Sequence, residues 1–98
     1  MAKKSGVNGD ELRSLANIGP AARDDLHRLG IDSIAQLAQQ DADDLYGRLN
    51  ALTGQRHDPC VWDVFAAAIH QAQTGEATPW WQWTQERKRR QSAGEFQA

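Results

Sequence analysis

Leu15-Ala16-Asn17-Ile18-Gly19-Pro20-Ala21-Ala22 sits between two short apolar-periodic segments and decides the fold. Upstream, Leu12 and Leu15 are spaced for one helical face. Downstream, Ala22, Leu26 and Leu29 recur three or four apart and stop at Gly30. The pattern predicts a helix, a tight turn, and a second helix that starts at a proline. Gly19 permits a positive φ or a close backbone approach, and Asn17 is the non-glycine type that best tolerates the left-handed region. Pro20 suits the first helical position, where a missing N–H costs nothing. Such a turn directs free backbone N–H groups and the positive end of a helix dipole into solvent, a setting that suits a phosphate.

Working outward, residues 1–8 have almost no apolar content and predict a disordered lead-in. Asp10 is the expected cap of a first helix running to about Ala16. The second helix should run from Pro20 to about Leu29. Asp32-Ser33 can cap a short third helix with Ile34, Leu37 and Ala38 inward, and Asp41 a fourth with Leu45, Leu49 and Leu52 on one face. Gln55–Pro59 reads as a loop, with Asp58 as cap and Pro59 at the first helical position. A fifth helix is expected from Cys60 to Gln73, with Val61, Phe65, Ile69 and Ala72 as its apolar repeat and Gly75 as its stop. No strand-like alternation competes. The expected class is all-α, a compact bundle of about five short helices. Residues 9–84 form the expected single domain, and 85–98 a polar basic tail, either a frayed helix end or mobile.

With 98 residues, 40% of them apolar, and a mean hydropathy of −0.71, the chain suits one modest core and carries no membrane span. The N-terminal lysines precede no apolar stretch, so no signal peptide is read there. The single cysteine excludes an internal disulfide framework and fits a reducing cytosol, so the expected compartment is cytoplasmic. Net charge is −2, unevenly spread. Residues 1–31 carry five cations against four acids, residues 32–78 two against seven, and residues 79–98 four against two. Any nucleic acid should therefore meet the hairpin or the C-terminal end, while the acidic middle repels it or faces a protein.

The stretch around Asn17–Pro20 resembles the helix-hairpin-helix motif of DNA-binding proteins. Leu15, Ile18, Gly19, Ala22, Leu26 and Gly30-Ile31 fill the motif's places, and Asn17 replaces its first glycine, as in the C-terminal domain of the TfoX competence regulators. The resemblance implies that backbone N–H groups after Gly19 hold a DNA phosphate, with Asn17, Ile18, Gly19, Ala21, Ala22 and Arg23 as the phosphate-binding candidates. Such domains often pair two hairpins, and a degenerate second copy is expected at Leu45–Pro59. Ala21 stands where a basic residue often helps, and Asp24-Asp25 follow, so the contact should be weak and sequence-independent. The later segment Asp58-Pro59-Cys60-Val61-Trp62-Asp63-Val64-Phe65, with Leu45-Tyr46, looks like the bacterial pathogenicity-locus family, sometimes described as mitomycin-resistance proteins. That likeness covers about residues 10–84 and implies a helix-hairpin-helix type fold.

His57, Cys60 and Asp63 recur every three residues, a spacing a metal can use, but no further cysteine completes a closed site, so no metal or cofactor is expected. A helix N-terminus lowers a thiol pKa, which makes Cys60 a candidate nucleophile beside His57, opposed by Asp58 and Asp63. No Gly-rich phosphate loop or paired catalytic carboxylates accompany it, so the chain is read as a non-enzymatic binding module. Trp80, Trp81 and Trp83 precede Arg87-Lys88-Arg89-Arg90. Trp80, Trp81, Arg87 and Lys88 make a second candidate surface for single-stranded nucleic acid or a protein; the competing expectation has two of the three indoles folded over the small core. The leading reading is weak DNA-backbone contact through the hairpin. The alternative is a protein-interaction module using the acidic middle and the Trp-rich end.

Overall fold

The computed structural model describes residues 11–94, so the lead-in at 1–8 and the Asp10 cap lie outside the described residues. A 3-10 turn at Glu11–Ser14 is followed by five α-helices: α1 (Pro20–Arg28), α2 (Ile34–Ala38), α3 (Ala42–Thr53), α4 (Cys60–Thr74) and α5 (Gln82–Ser92). The described residues contain no strand, and the chain is all-α.

The expected first helix is only a 3-10 turn. The Leu15 N–H bonds back to the Leu12 carbonyl at 3.2 Å, and Ser14 Oγ donates to the Glu11 carbonyl at 2.8 Å. Leu12, Leu15 and Ile18 nevertheless reach the core at 6% exposure or less. The apolar spacing is therefore obeyed without a regular helix.

The end of α1 shows how closely local sequence fixes local structure. Gly30 has φ +85°, its N–H donates to the His27 carbonyl, and the Ile31 N–H reaches the Leu26 carbonyl at 2.9 Å. That is a Schellman motif, and its apolar partners Leu26 and Ile31 are both buried. Ser33 and Gln36 form a reciprocal capping box at α2, and Asp41 Oδ2 accepts the Asp44 N–H at α3. Within α2, Leu37 is fully buried while Ile34 and Ala38 are half-buried.

Helix α4 is the centre of the molecule, with α2, α3 and α5 all packed on it. Its buried side chains, Trp62, Asp63, Phe65, Ala66, Ala67, Ala68 and Ile69, cover far more than one stripe. A helix covered on several sides must be apolar on several sides, and the alanines allow close approach. Each fully buried large apolar side chain in this core is worth about 1.5–3 kcal/mol relative to exposure. Leu52 departs from expectation. It continues the Leu45–Leu49 stripe but lies in the last turn of α3 and is 54% exposed.

The basic tail expected from residue 85 is also corrected. Residues 82–92 are helical, and α5 is docked. Trp83 packs against the core, while Arg87 and Arg90 reach acids on α4 and α3. Local periodicity could not show this, because Trp83 is the helix's one apolar side chain that meets the core, and its other anchors are charges.

Candidate functional site

The turn that enters α1 is exposed at Gly19, Pro20 and Ala21. Gly19 is the N-cap and Pro20 the first helical residue, and no side chain caps the helix. Arg23 N–H donates to the Gly19 carbonyl at 3.0 Å. Pro20 has no N–H, and those of Ala21 and Ala22 meet no acceptor among the described residues. No acidic residue lies in this first turn. Arg23, half-buried one turn in, forms no ion pair with another described residue.

The expectation of a positive φ in this turn is overturned at Gly19. Gly19 has φ −90° and ψ −176°, a conformation open to any residue, so it supplies no positive φ. Nor does it make way for a neighbour, since a Cβ there meets nothing within 4 Å. Asn17 serves a tertiary purpose. Its Nδ2 donates to the Thr78 carbonyl at 2.6 Å and its Oδ1 accepts the Trp80 N–H at 3.1 Å. Both ends of the carboxamide thus clamp the Thr78–Trp80 segment onto the turn, and nearby the Ala16 N–H reaches Gln71 Oε1 at 2.9 Å. Ile18 is buried in the core and Ala22 packs against it, so these two hold the turn in place.

The corresponding turn before α4 is closed. Asp58 Oδ1 accepts the Cys60 N–H at 2.8 Å, its carbonyl accepts that of Val61, and the Pro59 carbonyl accepts that of Trp62. At α5 the N–H groups of Gln82, Trp83 and Thr84 bond back to Pro79, Trp80 and Trp81.

Of the three C-terminal tryptophans, one folds back rather than two. Trp83 packs on the core, its Nε1 donating to Thr78 Oγ1 at 3.0 Å, with its ring centroid 5.4 Å from that of His70. Trp80 and Trp81 are 38% and 62% exposed. Arg87, a candidate for nucleic-acid contact, is instead committed inward. Its Nε and Nη2 donate to the two oxygens of fully buried Asp63 at 2.8 and 3.2 Å, and Thr84 Oγ1 adds a third bond at 2.6 Å. The Asp63 carboxylate raises the Arg87 pKa against the opposing effect of burial. Lys88 remains exposed. Arg90 pairs with Asp43, which also accepts Trp62 Nε1 at 2.7 Å, and the guanidinium lies 5.6 Å from the Trp62 ring centroid. The Arg90 hydrogen bonds hold the Asp43 carboxyl below its ordinary pKa, with Trp62 assisting against burial. Asp43 and Arg90 carry no local sequence signal of these roles, because their partners are remote in the chain.

The His57, Cys60 and Asp63 trio does not converge. His57 Nε2 pairs with Thr53 Oγ1 at 2.9 Å, and its backbone is held by Asn50 and Tyr46. Asp63 is spent on Arg87 and Thr84. No trio of metal-ligating side chains is assembled among the described residues. The Cys60 thiol is pushed up, first by burial and then by the hydrogen bond and charge of Asp58, with the charge of Arg87 opposing. No helix among the described residues is long and apolar enough to cross a membrane.

Residues 7–89 match the model of the Pathogenicity locus family (Cdd1). The chain is 44% identical over 82 residues to the mitomycin resistance protein McrB of Streptomyces lavendulae, covering 84% of this chain and 78% of that protein. No solved structure matches. The chain belongs to the pathogenicity-locus family.

Proposed function

We propose that this member of the pathogenicity-locus family is a non-enzymatic nucleic-acid-binding module that seats one backbone phosphate on the N-terminus of α1. The observation that carries the reading is the contrast between helix starts. Side chains cap α2 and α3, Asp58 closes α4, and backbone carbonyls close α5, while α1 presents the Ala21 and Ala22 N–H groups beside a bare Gly19. A glycine that neither its own φ nor its neighbours require is useful to something approaching from outside. The dipole and Arg23 add positive potential. The sharpest nucleophile candidate, Cys60, has a raised pKa, and Asp63 is already bonded, which supports binding without catalysis.

The test is an anisotropy titration with labelled oligonucleotides. One or two phosphate contacts predict weak binding that falls about three- to twelve-fold between ~50 and ~200 mM salt. Gly19→Asp places a carboxylate over the open N–H groups and should abolish it. Silence at low salt, or full binding by Gly19→Asp, overturns the reading.

A protein-interaction module is the second reading, favoured by the exposure of Trp81 and Leu52. It predicts self-association or partner capture that Trp81→Ala weakens and Gly19→Asp leaves intact.

A further inference from the structure

We infer that the nucleic acid this protein takes is single-stranded, with an unpaired base stacked on the indoles of Trp80 and Trp81. The inference rests on the phosphate reading above and specifies its substrate class.

Three observations carry it. First, Trp80 and Trp81 are large apolar side chains left 38% and 62% exposed in a small domain that folds Trp62 and Trp83 inward. Second, the backbone presenting them is fixed. Asn17 holds the Thr78 carbonyl and the Trp80 N–H, Trp83 Nε1 holds Thr78 Oγ1, and the N–H groups of Gln82 to Thr84 tie the turn into α5. A fixed backbone lowers the entropy lost when the side chains it carries bind. Third, the clamp joins two acid-free stretches. The chain has 13 acidic residues, yet none falls in residues 12–23 or 77–85, and the first of these stretches carries Arg13 and Arg23. Asn17 belongs to one stretch and Thr78 and Trp80 to the other, so the clamp sets the two acid-free stretches side by side. That charge pattern suits a polyanion better than a protein surface.

The substrate class follows from what an indole can reach. In a duplex both faces of each base are covered by its neighbours. In a single strand the faces are open, and stacking on an aromatic side chain tolerates any base. The α1 N-terminus, whose turn Asn17 ties to the Trp80 segment, is the seat assigned to a phosphate of the same strand. DNA and RNA share this chemistry.

The experiment measures binding of a labelled DNA strand, the RNA strand of the same sequence, and the DNA duplex to the full chain and its Trp81→Ala, Trp81→Phe and Gly19→Asp variants. The expected result is a single-strand preference of about ten-fold, within the range of one base–aromatic stack. Trp81→Ala should remove that preference and leave duplex affinity unchanged, and Trp81→Phe should keep most of it. Both single strands binding better than duplex supports a base-stacking site. A preference for only one of them that survives Trp81→Ala overturns it. Equal affinity for strand and duplex, sensitive to Gly19→Asp, overturns the stacking inference while keeping the phosphate reading. No nucleic-acid binding at all, with Trp81-dependent self-association, overturns both.

Discussion

Arg87 of α5 grips Asp63 of α4 through two N–H···O bonds of 2.8 and 3.2 Å, with the Asp63 side chain fully buried. A buried pair gains little over a well-packed apolar pair, but breaking it is costly because one charge is left unsolvated. Arg87→Ala should therefore destabilise the protein by about 3–5 kcal/mol, a large share of a small domain's stability. Asp63→Asn combined with Arg87→Met should recover much of that loss, since no lone charge remains. Urea unfolding of the three chains checks this; equal loss in the single and double variants would contradict it.

The Arg90–Asp43 contact should make the docking of α5 sensitive to acid. Asp43 has a depressed pKa in the folded state, chiefly through its hydrogen bonds to Arg90. A depressed carboxylate contributes stability above its unfolded pKa of about 3.9, and that contribution is lost as pH falls through the lower, folded value. Trp62, bonded to Asp43 through Nε1, is the reporter. Its fluorescence should change on acidification below about pH 4, and Asp43→Asn should flatten that change. An unaltered acid transition in the variant would count against the mechanism.

Gly19 and Gly30 should separate cleanly on substitution. Gly30→Ala forces a Cβ into φ +85° and should cost about 1–2 kcal/mol. Gly19→Ala meets neither strain nor a neighbour and should leave the thermal midpoint nearly unchanged. Gly19→Asp adds an N-cap side chain and should stabilise α1 by about a few tenths of a kcal/mol while removing anion binding. A fall in stability for Gly19→Asp would show that the bare N-cap has a folding role.

Cys60 should behave as a sluggish thiol. Burial and the Asp58 carboxylate raise its pKa, so at neutral pH the thiolate fraction is small. Iodoacetamide should label it more slowly than a free peptide thiol, and Asp58→Asn should quicken the reaction. Labelling faster than the peptide control would restore Cys60 as a nucleophile.

The elements legible in the sequence were those fixed by neighbours a few residues away. The capping residue Ser33, the Asp41 cap, the left-handed Gly30 and Gly75 at their helix ends, and the proline start of α1 all follow from local backbone chemistry. Leu12 and Leu15 were legible as core residues even though the segment is a 3-10 turn, because burial follows apolar spacing more faithfully than helix type does, whereas Ile18, read as a phosphate-binding candidate, is buried in the core. What the sequence hid was the distant partners of polar residues. Asn17 lies in the expected turn and in addition clamps Thr78 and Trp80; Arg87 looked like a surface cation and is buried on Asp63.

By itself, the sequence determined the all-α class, the ends of α1 to α4 and most of the apolar set that closes the core, because these depend on propensity, capping and periodicity within a few residues. Only the tertiary structure decided which polar groups are spent and which are offered. Hydrogen bonds and ion pairs that span 24 to 63 residues commit Arg87 and Asn17 and leave the α1 turn and Trp81 facing outward. No local pattern encodes those pairings, since a side chain's partner is set by where the packed helices bring it.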